Sequence, residues 1–412
     1  MLEELRGSIH STRDGDAARL QPYIDQLVEY ASRPLAEAQA LPGAFYTSAE
    51  LYEYEIDRIF RHDWVYVARL DEIPNPGDWH AVDIAGEAIM LVRGDDGLVR
   101  ALSRVCPHRF MDVLGGTEAR GGHGTSFVCP YHSWAFDLTG RLAGAPLMNR
   151  STRFEREQTS YCLREFKTEV WHGFVFVNLD PEAEPLAPRL ADAEEVVAPY
   201  RLEEWRYMGG VRWPESDANW KLVMDNGREC YHHQGAHKDS IEPLWPAHLV
   251  DADTTDSKHW FLQRLFVSPD AAVGEEDGHL MNPLMLPALD GLNAWQRSHY
   301  LLLGVYPNMF IAPGPDLMFI ARWYPTGPTR HIFELGYAVH ESQIDNPELA
   351  KALEETHEWA HQIQLEDSQM ITNIQKMAGS DVAARGGALS HLERPVWQFQ
   401  KYLAHRLADA GI

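Results

Sequence analysis

Residues 106–134 read CPHRFMDVLGGTEARGGHGTSFVCPYHSW and hold Cys106-x-His108, a spacer of twenty residues, then Cys129-x-x-His132. Each short run offers one thiolate and one imidazole. A zinc finger usually pairs Cys with Cys and then His with His. Here the two ligand types are interleaved, which suits a [2Fe–2S] cluster with Cys106 and Cys129 on one iron and His108 and His132 on the other. Pro107 and Pro130 stiffen the loop tips by fixing φ. Gly115, Gly116, Gly121, Gly122 and Gly124 make the spacer a loop. A mixed Cys/His zinc site, or four unrelated loop residues, are the competing readings.

With these two loops, and a segment near residue 230 described below, the chain resembles the α subunit of Rieske non-haem iron oxygenases over most of its length. The first loop of that family usually reads Cys-x-His-Arg-Gly, whereas here Phe110 stands in the place of the Gly. The resemblance implies an α+β protein. Its parts would be N-terminal helices over 1–61 packing on the catalytic domain, a small all-β Rieske domain over 62–165, and a catalytic mononuclear-iron domain over 166–412. The last would be an antiparallel sheet covered by helices, a helix-grip, START-like arrangement.

The residues support that division. A chain of 412 residues, 45% hydrophobic, is long enough for two domains. Strand-like runs begin at WVYVARL (64–70), WHAVDIA (79–85) and AIMLVRG (88–94), with a DDG turn at 95–97. Strand text resumes at 170–179 and again over 258–340. Apolar spacing predicts a helix over about 17–32, after a loose polar run at 1–16. Thr47 and Glu50 predict a capping box for a second helix. Asp345-Asn346-Pro347 predicts the start of a long helix to about Met377, with Leu349, Leu353, Trp359, Ile363, Met370 and Ile374 as its apolar pattern. A last helix is expected over about 393–409.

The formal charge of −25 argues against nucleic acid and against an anionic membrane. Four cysteines fit a reducing compartment, and the N-terminal run lacks the apolar core of a signal peptide, so a cytoplasmic protein is expected.

The second constellation is Asn219–His237, NWKLVMDNGRECYHHQGAH. Asp225, Glu229 and His232 follow i, i+4, i+7 and share one face of a regular helix. His237 lies five residues past His232, which on such a helix leaves the two imidazoles roughly 140° apart. They meet at one metal only if the helix bulges or ends between them, and Gly235 permits either. Two histidines and a carboxylate leave positions open on Fe(II). The family pattern places an acidic pair and a later Gln in the C-terminal helix, and Glu366, Asp367 and Gln375 match it. The resemblance therefore implies His232, His237 and Asp367 as iron ligands; alone, Asp367 reads as a solvated helix carboxylate. It also implies that Asn226 lies near the iron. Glu229 would link His232 of its own chain to His132 of the next subunit in a homotrimer, and a β subunit would be an optional addition.

Trp245, Trp260, Leu265, Trp295, Tyr306, Phe310 and Trp323 are the expected pocket lining, each equally at home in a core. The implied function is a terminal oxygenase that hydroxylates an aromatic or small organic substrate with O₂. Glu at the bridge looks closer to the betaine, carnitine and choline branch than to naphthalene-type dioxygenases, so oxidative N-demethylation of a quaternary ammonium compound is the alternative. No Gly-rich dinucleotide fingerprint is present, so an NAD(P)H-dependent reductase, with or without a ferredoxin, must supply electrons. The rival of another class is a Rieske electron carrier, which needs no second metal site.

Overall fold

The computed structural model describes residues 14–116, 119–154, 159–252, 255–268 and 285–408. They fall into two compact units, one over Phe60–Pro188 and one made of Met1–Ile59 with Arg189–Ile412.

The inserted unit is all β. Its seven-stranded sheet runs β1-β10-β9-β4-β3-β2-β5, with β1 Val65–Arg69, β2 Asp78–Ile84, β3 Glu87–Arg93, β4 Val99–Ser103, β5 Gly121–His123, β9 Glu165–Trp171 and β10 Phe174–Asn178. A small three-stranded sheet holds β6 Phe127–Val128, β7 Ala135–Phe136 and β8 Leu142–Gly144. Two hairpins close through two-residue turns with both residues at positive φ, Ala85-Gly86 (49° and 80°) and His172-Gly173 (45° and 83°). That is the turn whose twist matches paired strands. The boundary expected at 166 falls inside β9. β9 pairs with β4 through Ala101↔Phe166, and β10 with β1 through Val65↔Val177, so the strands at 165–178 complete the first sheet.

The second unit has a six-stranded antiparallel sheet in the order β11-β16-β15-β14-β13-β12. Its strands are β11 Trp205–Arg212, β12 Trp260–Phe266, β13 His299–Val305, β14 Met309–Pro313, β15 Leu317–Gly327 and β16 Arg330–His340. The helices that position the site are α1 Asp14–Ser32, α2 Ala49–Glu55, α3 Trp220–Gly227, α4 His233–Ala236, α5 Leu349–Ala378 and α6 Arg394–Ala408. Helix α1 reaches back to Asp14; the rest of the loose run expected at 1–16 lies outside the described residues. The cap of α2 is Ser48, whose hydroxyl accepts from Leu51 N–H at 3.2 Å, and not Thr47.

Helix α5 turns a stripe of Leu349, Ala352, Thr356, Ala360, Gln364, Ile371 and Gln375 inward. Asp367 falls on that stripe between Gln364 and Ile371, so helical periodicity alone carries its carboxylate inward. Met370 and Ile374, expected on the apolar side, are 41% and 51% exposed instead.

Buried polar contacts tie the N-terminal segment to α3. Lys221 Nζ lies 2.7 Å from the Glu55 carboxylate, and Trp220 Nε1–H donates to the same carboxylate at 2.8 Å. Removing one member of such a pair costs about 3–5 kcal/mol, because the other charge is left buried. Gln375 is a second tie. Its Nε2 donates to the Tyr46 carbonyl at 3.0 Å, and its Oε1 accepts from the N–H of Asn219, the cap of α3, at 2.8 Å. Thus α5 and α3, which carry or lead into the candidate iron ligands, are locked in register.

Candidate metal centres

In the inserted unit the two ligand loops are built alike. Cys106 N–H donates to the Met111 carbonyl at 2.8 Å and Phe110 N–H to the Cys106 carbonyl at 2.9 Å. Cys129 N–H donates to the Trp134 carbonyl at 2.8 Å and Ser133 N–H to the Cys129 carbonyl at 2.9 Å. In both loops the fifth residue is left-handed, Phe110 at φ 63° and Ser133 at φ 58°. Both cysteines are free and buried, and the His108 and His132 ring centroids are 4.6 Å apart. Trp134 stacks flat on His108 at 4.7 Å. Burial first, and then the adjacent Cys129, push the Cys106 thiol up, so a pair of thiolates here needs a cation beside it. Burial lowers His108, followed by His132 and Arg109, keeping it the neutral imidazole that ligates metal. This donor set fits a two-iron cluster.

In the larger unit His232, His237 and Asp367 offer ligand atoms that all lie within 4.8 Å of one another. The expected helix does not run through them. Helix α3 ends at Gly227 with Arg228 as its cap, so Glu229 and His232 lie beyond it and share no regular helix face with Asp225. His232 caps the start of the one-turn helix α4, and His237 closes it at φ −122°, ψ 33°, off the helical path. The break thus falls before His232, and the departure from helix falls at His237, not at Gly235. The two imidazole centroids are 5.1 Å apart.

Each imidazole is held by its own carboxylate. Glu229 Oε1 lies 2.6 Å from His232 Nδ1, and Glu366 Oε2 lies 2.7 Å from His237 Nδ1. Both Nε2 atoms therefore point at Asp367 Oδ1, 3.7 Å away for His232 and 2.9 Å for His237. Carboxylates on the far nitrogen fix the tautomer and strengthen a histidine as a ligand. Burial works against protonation of both imidazoles, yet Glu229 raises His232, and Asp367 and Glu366 raise His237. Burial likewise opposes ionisation of Asp367, and the two histidines and Asn226 bring its carboxyl below the usual range. Asn226 Nδ2 donates to Asp367 Oδ1 at 2.9 Å. Glu366, read from sequence only as a neighbour, orients His237; Ser240 and Gln362 in turn hold it at 2.6 and 2.9 Å. Its role arises only when α4 docks on α5. These donors fit a divalent iron with open positions.

His233 points elsewhere. Burial, then His232, lower it to about 3, and its Nδ1 meets the Trp245 carbonyl at 3.2 Å. Cys230 is buried and its thiol, pushed well up by burial, is hydrogen-bonded to Gln263 at 3.1 Å.

A cavity of about 150 Å³ opens beside Asp367, a size that holds one benzene in an apolar core. Trp245, Leu265 and Phe310 line it as expected, joined by Phe319, Phe333 and Trp359. The other expected residues are used elsewhere. Trp260 donates to Asp192 at 2.6 Å, Trp295 stacks on His299 at 4.1 Å, Tyr306 stacks on Tyr402 at 4.5 Å, and Trp323 is buried against Phe310 without lining the cavity. Trp359 was legible in principle, because Trp359, Ile363 and Asp367 are spaced i, i+4, i+8 on one helix face.

Residues 63–166 match the Rieske [2Fe-2S] domain, and residues 200–409 match the ring hydroxylating alpha subunit catalytic domain. The chain belongs to the ring-hydroxylating oxygenase α subunits. It is a Rieske-type oxygenase whose cofactors are a Rieske [2Fe–2S] cluster and a mononuclear iron. It is 29% identical over 351 residues to the carnitine monooxygenase oxygenase subunit of Acinetobacter pittii, covering 82% of this chain and 85% of the relative. Among solved structures, a quaternary ammonium Rieske monooxygenase superposes with a TM-score of 0.73 at 23% identity, covering 92% of this chain and 98% of that one. Naphthalene 1,2-dioxygenase from Rhodococcus sp. superposes with a TM-score of 0.76 at 20% identity, covering 96% and 100%. At those identities the structural likeness shows the fold alone. Among the described residues no helix is long and apolar enough to cross a membrane.

Proposed function

We propose that this chain is the terminal oxygenase of a quaternary ammonium monooxygenase that draws electrons from a separate NAD(P)H-dependent reductase. Cys106, His108, Cys129 and His132 would hold the cluster, and His232, His237 and Asp367 the Fe(II). The observation that carries the reading is the cavity beside Asp367. Its walls carry the aromatic rings of Trp245, Phe310, Phe319, Phe333 and Trp359, and no Lys or Arg is among the described residues that line it. An ammonium gains from ring faces. The likeness to carnitine monooxygenase points the same way.

The bound iron supplies activation of O₂. Trp245, Phe319 and Trp359 would hold the cation near that iron, and the dry walls exclude bulk water. Glu229 and Glu366 keep the two imidazoles in the ligating tautomer. The overall change inserts one oxygen beside nitrogen: R₂CH–NR₃⁺ + O₂ + 2 e⁻ + 2 H⁺ gives R₂C(OH)–NR₃⁺ + H₂O. The C–N bond then breaks, the amine leaves with the electron pair, and R₂C=O and H⁺ are released. Glu229 would also carry the link toward His132 of a neighbouring subunit in a trimer, an arrangement in keeping with the inter-subunit electron transfer described for the quaternary ammonium enzyme.

The test is oxygen uptake by protein reconstituted with reductase and NADH, read with amine and aldehyde products by mass. Quaternary ammonium compounds are expected to couple uptake to product. Coupled cis-diol formation from naphthalene or indole, with no amine released from any ammonium, would return the aromatic reading. Metal analysis separates both from an electron carrier, with about three irons per chain for the oxygenase and about two for the carrier.

A further inference from the structure

The cavity beside Asp367 differs from a general ammonium site in two features: a missing cation and an unused donor. Among the described residues no Lys or Arg lines it. Arg228, next to Glu229 in sequence, is turned into a separate aromatic cluster, with its guanidinium carbon 3.7 Å from the Phe399 centroid and 5.4 Å from those of Phe261 and Tyr306. Arg322, on the sheet, is held by Glu334 at 2.6 Å. A substrate carboxylate would give up its water here and find no positive side chain; the iron held by His232, His237 and Asp367 would be its only counter-charge, and a carboxylate there would compete with O₂ for the open positions.

The unused donor is Trp245. It lines the cavity, is only 7% exposed, and its indole N–H meets no acceptor among the described residues. The neighbouring Trp359 is unlike it, donating to the Ser240 carbonyl at 3.2 Å. The rings packed on Trp245 are Tyr300, Trp359 and Phe319, at 5.2, 5.5 and 6.5 Å, and the one hydroxyl among them, that of Tyr300, is engaged with Asp316. A buried donor without an acceptor is costly, and a ligand oxygen satisfies it.

We propose that the cavity selects a quaternary ammonium that carries a neutral oxygen acceptor, a hydroxyl, ether or ester carbonyl, and rejects zwitterions with a free carboxylate. The inference rests on the ammonium reading above and narrows it. Carnitine and glycine betaine, the molecules in the relatives' names, both carry a carboxylate. By this reading the chain shares their chemistry and differs in substrate.

The experiment compares choline, propyltrimethylammonium, glycine betaine and L-carnitine on the reconstituted holoenzyme, with calorimetric Kd values on the same protein. Choline and propyltrimethylammonium have nearly the same shape and differ in one hydroxyl. Choline is expected to exceed the propyl compound about tenfold in kcat/KM, and the two zwitterions by about a hundredfold or more. Trp245→Phe should bring the choline-to-propyl ratio to about one, with its cluster spectrum and its mononuclear iron content serving as the check on folding. Betaine or carnitine at or above choline would overturn the exclusion and leave the ammonium reading standing, a result that needs only the wild-type protein. An unchanged ratio in the folded Trp245→Phe protein would overturn the hydrogen bond. No turnover of any ammonium would sink the reading beneath both.

Discussion

In the inserted unit four donor side chains come from two six-residue loops that repeat the same pair of backbone hydrogen bonds. In the larger unit the donors come from segments 130 residues apart, and no local pattern brings them together. There the register is set by remote clasps: Gln375 between α5, Tyr46 and Asn219, and the Glu55–Lys221 pair between α2 and α3. A metal centre written in local backbone geometry resists damage elsewhere in the chain. One assembled by helix docking inherits every weakness of that docking.

The sharpest break is a reciprocal pair of variants. Cys106→Ala should remove the cluster's visible and EPR signals and all turnover, and leave one mononuclear iron per chain. Asp367→Ala should do the reverse, weakening iron binding by more than ~100-fold while the cluster spectrum stays intact. Iron content and visible spectra on both proteins check this, and loss of both centres from either variant would mean the two units do not hold their metals independently.

Glu229→Gln should leave both centres loaded. Gln has nearly the same shape, but it replaces one acceptor oxygen with a donor and removes the charge that holds His232 Nδ1. Reoxidation of a pre-reduced cluster in a single turnover with substrate and O₂ should slow roughly 10–100-fold. Wild-type rates would remove Glu229 from the electron path.

Gln375→Leu tests the remote clasp without touching a ligand. It leaves the Tyr46 carbonyl and Asn219 N–H unsatisfied, which costs about 1–3 kcal/mol for each buried group. Iron affinity should fall about tenfold, with no change in the cluster. An iron titration that matches wild type would show that α5 keeps its register without Gln375.

The smallest effect belongs to the local code. Phe110 sits at φ 63° and is 82% exposed, so its side chain returns little packing for the left-handed backbone. Phe110→Gly should raise stability by up to ~1 kcal/mol, since the left-handed conformation costs a non-glycine residue about 1–2 kcal/mol and glycine gives part back in chain entropy. A lower melting temperature would mean that the exposed ring has a contact worth more than the strain.

This contrast also explains what could be read from sequence. Cys106, His108, Cys129 and His132 announce themselves because loop, ligand and proline lie side by side. His232 and His237 were legible as a pair, but the helix break before Glu229 was not, since Gly227 and Gly235 are equally good breakers on paper. Asp367 needed the family pattern; its inward stripe becomes clear only when Met370 and Ile374 are seen to face outward. That the strands at 165–178 join the first sheet could not be read, because alternation marks a strand without naming its sheet. Glu366 was missed as the partner of His237 because nothing local joins them.

The insertion of Phe60–Pro188 within the larger unit also sets an order of manufacture. A ribosome finishes the whole of that segment, with all four cluster donors, before it has made Asp367. At about 5–20 residues per second the interval is on the order of ten to forty seconds. Glu55 meets its partner Lys221 soon after that segment, whereas the Tyr46 carbonyl waits for Gln375 until after Asp367. The iron–sulfur pocket is therefore ready for loading on a nascent chain, whereas the iron pocket exists only once Asp367 has emerged.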